Sequence, residues 1–159
     1  MTKVRTRRRP AVEKDLPAAA SFLRYIESSA LVAALLEQDA EALQAFREIG
    51  HRVTSALTFA EANRAVVRAR IAGRLSDRDE RSALRDLRAF EQHCTVFAVT
   101  EAVLARAGRP FPIEPVRTLD AIHLATIELL GETPQLVTVV TRDDRVARNA
   151  RSLGYDVVP

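Results

Sequence analysis

The chain has 159 residues, 47% of them hydrophobic and 28% charged, which suits one globular domain with a core of its own and excludes a disordered or collagen-like class. Its net charge of +3 points to nucleic acid only until the charge is located: five of the 24 basic residues (Lys3, Arg5, Arg7, Arg8 and Arg9) precede the first acid, Glu13, and the remaining 19 face 21 acids. No apolar run approaches the roughly 18 residues of a membrane span, no apolar signal region follows the basic start, and the lone Cys94 has no internal disulfide partner, so the chain reads as cytoplasmic, without a membrane.

Residues 1–21 are charged and then alanine-rich, with Pro10 and Pro17 and no sustained period, and read as a basic, flexible tail ahead of a single domain over 22–159. The tail is either an RNA-binding arm or a plain extension. Residues 22–36 show a short extended run, a polar break at Glu27-Ser28-Ser29 and an apolar helical run: a strand, a turn and a helix. Asp39 to Ile49 has helical spacing and Gly50 as its stop. His51 to Ser55 is a second strand. Thr58-Phe-Ala-Glu61 matches the S/T-x-x-E capping box and opens a helix to about Ala72, closed by Gly73. Ser76-Asp-Arg-Asp79 opens the next, to about Gln92, with Arg74, Arg78, Arg81, Arg85 and Arg88 on one face. That face is either solvated and stitched by neighbouring acids or a ridge for phosphates.

Cys94 to Val99 reads as a third strand, with Cys94 a small buried hydrophobe, and Thr100 to Ala107 as a short helix. Pro110, Pro112 and Pro115 make Gly108 to Val116 a loop. Thr118 caps a helix from Leu119 to Leu130. Leu136 to Val140 is short, apolar and β-branched, as a strand covered on both faces should be. Thr141 caps a last helix to Leu153, and Tyr155 to Val158 is a final strand. The alternation predicts an α/β fold with a mostly parallel sheet covered on both sides.

In such a sheet, ligands bind in the crevice outside the carboxyl ends of the strands. Glu27, Glu61 and Asp143 each follow a predicted strand within a few residues, and Asp120 opens a helix of the same type. Singly, each has a structural reading, since an acid in a helix's first turn stabilises it by roughly 0.3–1 kcal/mol. In Thr141-Arg-Asp-Asp144, Asp144 takes the capping place and leaves Asp143 as the functional acid. Together the four crowd one rim, where like charges raise each other's pKa unless a cation intervenes. Carboxylates without His or Cys select hard cations, one or two Mg²⁺ or Mn²⁺. Paired ions of that kind cut phosphodiesters. His123, on the face of Asp120, reads as a packed or hydrogen-bonded core histidine.

The segments Arg24-Tyr-Ile-Glu-Ser-Ser-Ala-Leu-Val, Thr54-Ser-Ala-Leu-Thr-Phe-Ala-Glu61, Arg117-Thr-Leu-Asp-Ala-Ile-His-Leu-Ala and Val140-Thr-Arg-Asp143 resemble the acid-bearing segments of PIN-domain ribonucleases, and among them the VapC-type toxins of bacterial toxin-antitoxin pairs. The resemblance runs from about Arg24 to Pro159. It implies a three-layer α/β/α sandwich, catalytic and metal-binding roles for Glu27, Glu61, Asp120 and Asp143, and support from Ser29 and Thr141. It also implies RNA as substrate, a homodimer, and inhibition by an antitoxin from the adjacent gene. Arg117 would contact RNA phosphate or pair with an acid at the rim. The chain departs from the family's usual pattern in having Glu27 where Asp is most frequent, and in its basic N-terminal stretch. Two other readings of the residues are a non-catalytic metal- or RNA-binding module of this fold and a phosphoacceptor signalling domain. The latter normally places a lysine near the last strands, and residues 15–159 contain none.

Overall fold

The computed structural model describes residues 22–159; the basic stretch before them, with its reading as a tail or RNA-binding arm, lies outside the described residues. Within them β1 (Leu23–Ile26) is followed by α1 (Ser28–Leu36) and α2 (Ala40–Arg47), then β2 (His51–Ser55), α3 (Ala56–Ile71) and α4 (Asp77–Gln92). Next come β3 (Thr95–Phe97), α5 (Glu101–Ala107), α6 (Thr118–Glu128), β4 (Val137–Val140), α7 (Asp144–Ser152) and β5 (Asp156–Val158). The strands form one parallel sheet in the order β3-β2-β1-β4-β5. The chain thus builds outward from β1 to one side, then returns to build on the other. The crevice between β1 and β4 is the point where the order reverses.

Side-chain alternation on the strands divides the core into two layers. Leu23 and Tyr25 of β1, with Val137 and Val139 of β4, face α5, α6 and α7 through Val103, Leu124, Ile127 and Val146. Ile26 and Val140 face the opposite way, onto Ala30 and Leu31 of α1, Ala62 of α3 and Leu87 of α4. The result is an α/β/α sandwich whose central strands are largely buried on both faces. Full burial of each large aliphatic side chain contributes about 1.5–3 kcal/mol against the chain entropy. Among the described residues no helix is long and apolar enough to cross a membrane.

Several helix starts differ from the sequence reading. Ser55, not Thr58, caps α3, its Oγ accepting from Leu57 N at 3.2 Å. Thr58 lies inside the helix, where its hydroxyl accepts from Thr54 Oγ1 at 2.8 Å, so Glu61 has no capping duty. Arg117 occupies the N-cap position of α6 without a side-chain cap bond, and Thr118 is the first helical residue. The box at Ser76 and Asp79 does form. Its helix carries exposed Arg78, Arg81, Arg85 and Arg88, but Asp77 and Glu80 pair with Arg70 of α3 rather than with that face. Cys94 is partly buried, and burial pushes its thiol up to about 12.

Gly50 is required at the entry to β2. Its φ is +151°, and a Cβ there would stand 2.8 Å from Arg24 Cγ and 3.1 Å from the Phe22 carbonyl oxygen. The buried Arg24 stem fills that space and reaches Glu48 at 2.8 Å.

Candidate metal centre

Glu27 is both the last residue of the β1 exit and the N-cap of α1. Its Oε2 accepts from Ser29 N at 3.0 Å, from the Ser29 hydroxyl, and from Thr141 Oγ1 at 2.8 Å; its Oε1 accepts from Ser28 Oγ at 2.5 Å. A carboxylate 4% exposed would be costly without such donors, and four of them offset the lost water. The backbone N–H of Glu27 donates to the Val140 carbonyl at 3.0 Å, which locks the β1 exit beside the β4 exit. The longer Glu side chain is therefore folded back into the α1 N-terminus. Oε1, with a single close donor, is the oxygen left with capacity toward the crevice.

Thr141 joins two of the junctions. While its hydroxyl donates to Glu27, it accepts from Asp143 N at 3.1 Å. The expected box at Thr141 and Asp144 does not form, because α7 begins two residues later in register. Asp143 is itself the N-cap, with Oδ1 accepting from Arg145 N at 2.8 Å and Val146 N at 3.3 Å. Asp144 is exposed in the first turn and does not support the site through a cap. Capping engages one oxygen of Asp143.

Asp120 lies in the first turn of α6. Its Oδ2 is buried without a hydrogen-bond partner, and the nearest cation, Arg145 Nη1, stands at 3.9 Å. Burial raises the Asp120 carboxyl above its usual value, and the neighbouring Asp143 charge adds to this; Arg117, exposed at the helix start, acts the other way. An unsatisfied buried carboxylate oxygen beside a second carboxylate is a costly arrangement in protein alone. It is the arrangement that a divalent cation relieves.

Glu61 approaches from α3. Its Oε2 lies 2.7 Å from Nε2 of His123, whose Nδ1 lies 2.8 Å from the Tyr25 hydroxyl. The same Nε2 is 3.6 Å from Glu27 Oε1. Burial alone would raise the Glu61 carboxyl, but its hydrogen bonds, that from His123 foremost, hold it below its usual value. Glu27, Glu61 and His123 offer donor atoms within 4.8 Å of one another, while Asp120 and Asp143 lie outside that tight group and act on each other through their charges. His123 is a buried core histidine, as its sequence position suggests, yet its partners are two of the four acids. Nothing in the spacing of the chain could have shown that, since Glu61 is 62 residues away.

The donor set therefore suits a hard divalent cation: carboxylates from four segments, three of them with an oxygen committed elsewhere and one with an oxygen wholly unpartnered.

A family model for the PIN domain matches residues 24–152. Ribonuclease VapC46 of Mycobacterium tuberculosis is 38% identical over 136 residues, spanning 84% of this chain and 95% of that protein. Ribonuclease VapC35 of the same species is 33% identical over 138 residues, spanning 84% and 94%. The fold is similar to that in the VapBC2 structure from Rickettsia felis bound to a promoter DNA fragment, with a TM-score of 0.58 at 12% identity over 85% of this chain and 96% of that one. It is also similar to a toxin-antitoxin complex from Klebsiella pneumoniae, with a TM-score of 0.56 at 18% identity over 86% and 96%. At such identities these two carry the architecture alone, and the family rests on the sequence matches: the chain belongs to the PIN-domain family, among its VapC-type members.

Proposed function

We propose that this chain is a divalent-metal-dependent ribonuclease that acts as the toxin of a toxin-antitoxin pair. The observation that carries the chemistry is the unpartnered, buried Oδ2 of Asp120, set beside Asp143 at the carboxyl ends of a parallel sheet. Glu27, Glu61, Asp120 and Asp143 would hold one or two Mg²⁺ or Mn²⁺ ions. Bound there, such ions supply a hydroxide nucleophile at neutral pH and stabilise the charge on the attacking and leaving oxygens of a phosphodiester. The protein's own part is positional. Ser29 and Thr141 fix the Glu27 carboxylate, and the α7 backbone fixes Asp143. Arg117 and Arg145, both exposed and flanking Asp120, would receive phosphate oxygens of an RNA strand.

The partner reading follows the relatives and the complexes this fold is found in: a small antitoxin whose basic segment would occupy the acidic crevice. Self-association as a homodimer in the cytoplasm belongs to the same reading. The test is cleavage of a mixed RNA pool by purified protein with Mg²⁺, with Mn²⁺ and with chelator, beside Asp120→Asn. Cleavage that needs the ion and is absent in the variant supports the assignment; equal cleavage by both proteins overturns it.

A further inference from the structure

Behind the four acids runs a buried chain of three side chains, Tyr25, His123 and Glu61. Tyr25 and His123 are 0% and 1% exposed, their polar ends 2.8 Å apart, and His123 meets Glu61 at 2.7 Å. The bond directions follow from what each group can do. An ionised carboxylate only accepts, so the Nε2 that faces Glu61 must carry a proton. In the neutral ring Nδ1 is then an acceptor, and the Tyr25 hydroxyl is the donor that satisfies it. The proton on Nε2 goes to Glu61 Oε2 at 2.7 Å, while Glu27 Oε1 stands 3.6 Å from the same nitrogen, beyond hydrogen-bond distance.

We propose that His123 is a positioning residue of the metal centre: its Nε2–H clamps one oxygen of Glu61 and leaves the other for the cation, and the Tyr25 hydroxyl holds the ring in the tautomer that does so. This rests on the reading of Glu61 as a cation ligand. The three donor atoms within 4.8 Å invite a different assignment, His123 as a ligand in its own right, but a nitrogen that carries a proton has no lone pair for a metal. The ring would have to surrender the Glu61 bond and leave Tyr25 facing an N–H. Glu61 of α3 is thus registered against an imidazole of α6, itself registered against β1 through Tyr25.

The experiment is a Mn²⁺ titration of the full chain followed by electron paramagnetic resonance of the free ion, with thermal unfolding of the metal-free proteins alongside. His123→Gln keeps an N–H donor at similar reach and is a poor ligand; His123→Leu keeps the volume and has no donor. Loss of such an outer partner typically weakens metal affinity about 10–100-fold. The expected result is affinity within about threefold of wild type for Gln and a loss of about tenfold or more for Leu, with Tyr25→Phe between them. An equal loss in Gln and Leu makes His123 a ligand and overturns the proposal. Unchanged affinity in a folded Leu variant overturns it as well, leaving His123 a packing residue. If Leu does not fold, the Gln and Phe variants decide on the same scale. Wild-type protein that binds no Mn²⁺ refutes the metal-centre reading itself, a failure distinct from these.

Discussion

The Thr141 hydroxyl donates to Glu27 Oε2 at 2.8 Å across 114 positions of sequence, and this one bond closes the crevice between β1 and β4 where the strand order reverses. Thr141 Oγ1 in turn accepts from Asp143 N, so the junctions after β1 and β4 share a single side chain. Thr141→Val keeps the shape and removes both bonds. It should cost about 1.5–3 kcal/mol, the usual worth of a buried hydrogen bond to a charged group, and lower activity with it. Chemical denaturation of the purified variant reads the first, and Thr141→Ser should restore most of both. A Val variant as stable as wild type would mean that the Ser28 and Ser29 donors suffice for Glu27.

Asp120→Asn should abolish metal-dependent RNA cleavage while raising the stability of the metal-free protein. The sign follows from the raised carboxyl of Asp120, caused first by burial and then by Asp143. A carboxyl whose folded pKa lies above its unfolded value favours the native state most when protonated, and loses that contribution as pH rises through the folded pKa. The gain from Asn should therefore be full at pH 7 and fade as pH falls toward the unfolded value of about 4. Melting curves of both proteins from pH 3.5 to 8 with chelator check it; parallel curves would show that Asp120 carries no strain.

Glu61 behaves in the opposite sense. His123 holds its carboxyl low despite burial, so its contribution is present above the unfolded value of about 4.3 and is lost as pH falls through the folded one. Glu61→Gln should lower stability at pH 7 and converge on wild type in acid, the reverse of Asp120→Asn. The pair of pH profiles, measured by thermal unfolding without metal, separates an acid with a built-in partner from an acid without one.

Glu27→Gln should cut cleavage at least about tenfold, with Mn²⁺ affinity falling alongside, as happens when a charged ligand is replaced by an amide. The amide also presents an N–H₂ to hydroxyl and amide donors that now meet an acceptor only on one side. Glu27→Asp keeps the charge and the N-cap and should retain a measurable fraction of the rate, because Asp is a good cap but draws the carboxylate back by about 1.5 Å from Thr141. A metal titration of cleavage rate for the three proteins gives the ranking. If Gln equals wild type at every Mn²⁺ concentration, the site has three acids.

Co-expression with the product of the adjacent gene should suppress growth inhibition by this chain, and the two should copurify. A chain harmless alone and not retained by that product would count against the toxin reading while leaving the nuclease chemistry intact.

Local pattern carried much of the architecture. Strand and helix alternation is written in short-range periodicity, because burial of β1 and β4 on both faces favours the largely apolar, β-rich runs at Leu23–Ile26 and Val137–Val140, with only Arg24 and Thr138 breaking them. The box at Ser76 and Asp79 was legible for the same reason: both partners lie within one turn. Three of the four acids could be set after predicted strands from order alone. The distant partners of Glu27, Glu61 and Asp120 could not, since Thr141, His123 and Arg145 lie 114, 62 and 25 positions away. Thr58 and Glu61 matched a capping box and did not form one, because Ser55 starts the helix three residues earlier and tertiary packing then claims Thr58 for Thr54 and Glu61 for His123. Asp143 took the N-cap place expected of Thr141, and Asp144 lost its expected capping role, through a shift of two residues in the start of α7, a distance below what periodicity resolves. The sequence by itself determined the order of elements and the chemistry available at their ends; the tertiary structure alone decided the partner of each carboxylate, because a hydrogen bond is settled by ångströms between segments that the chain brings together only on folding.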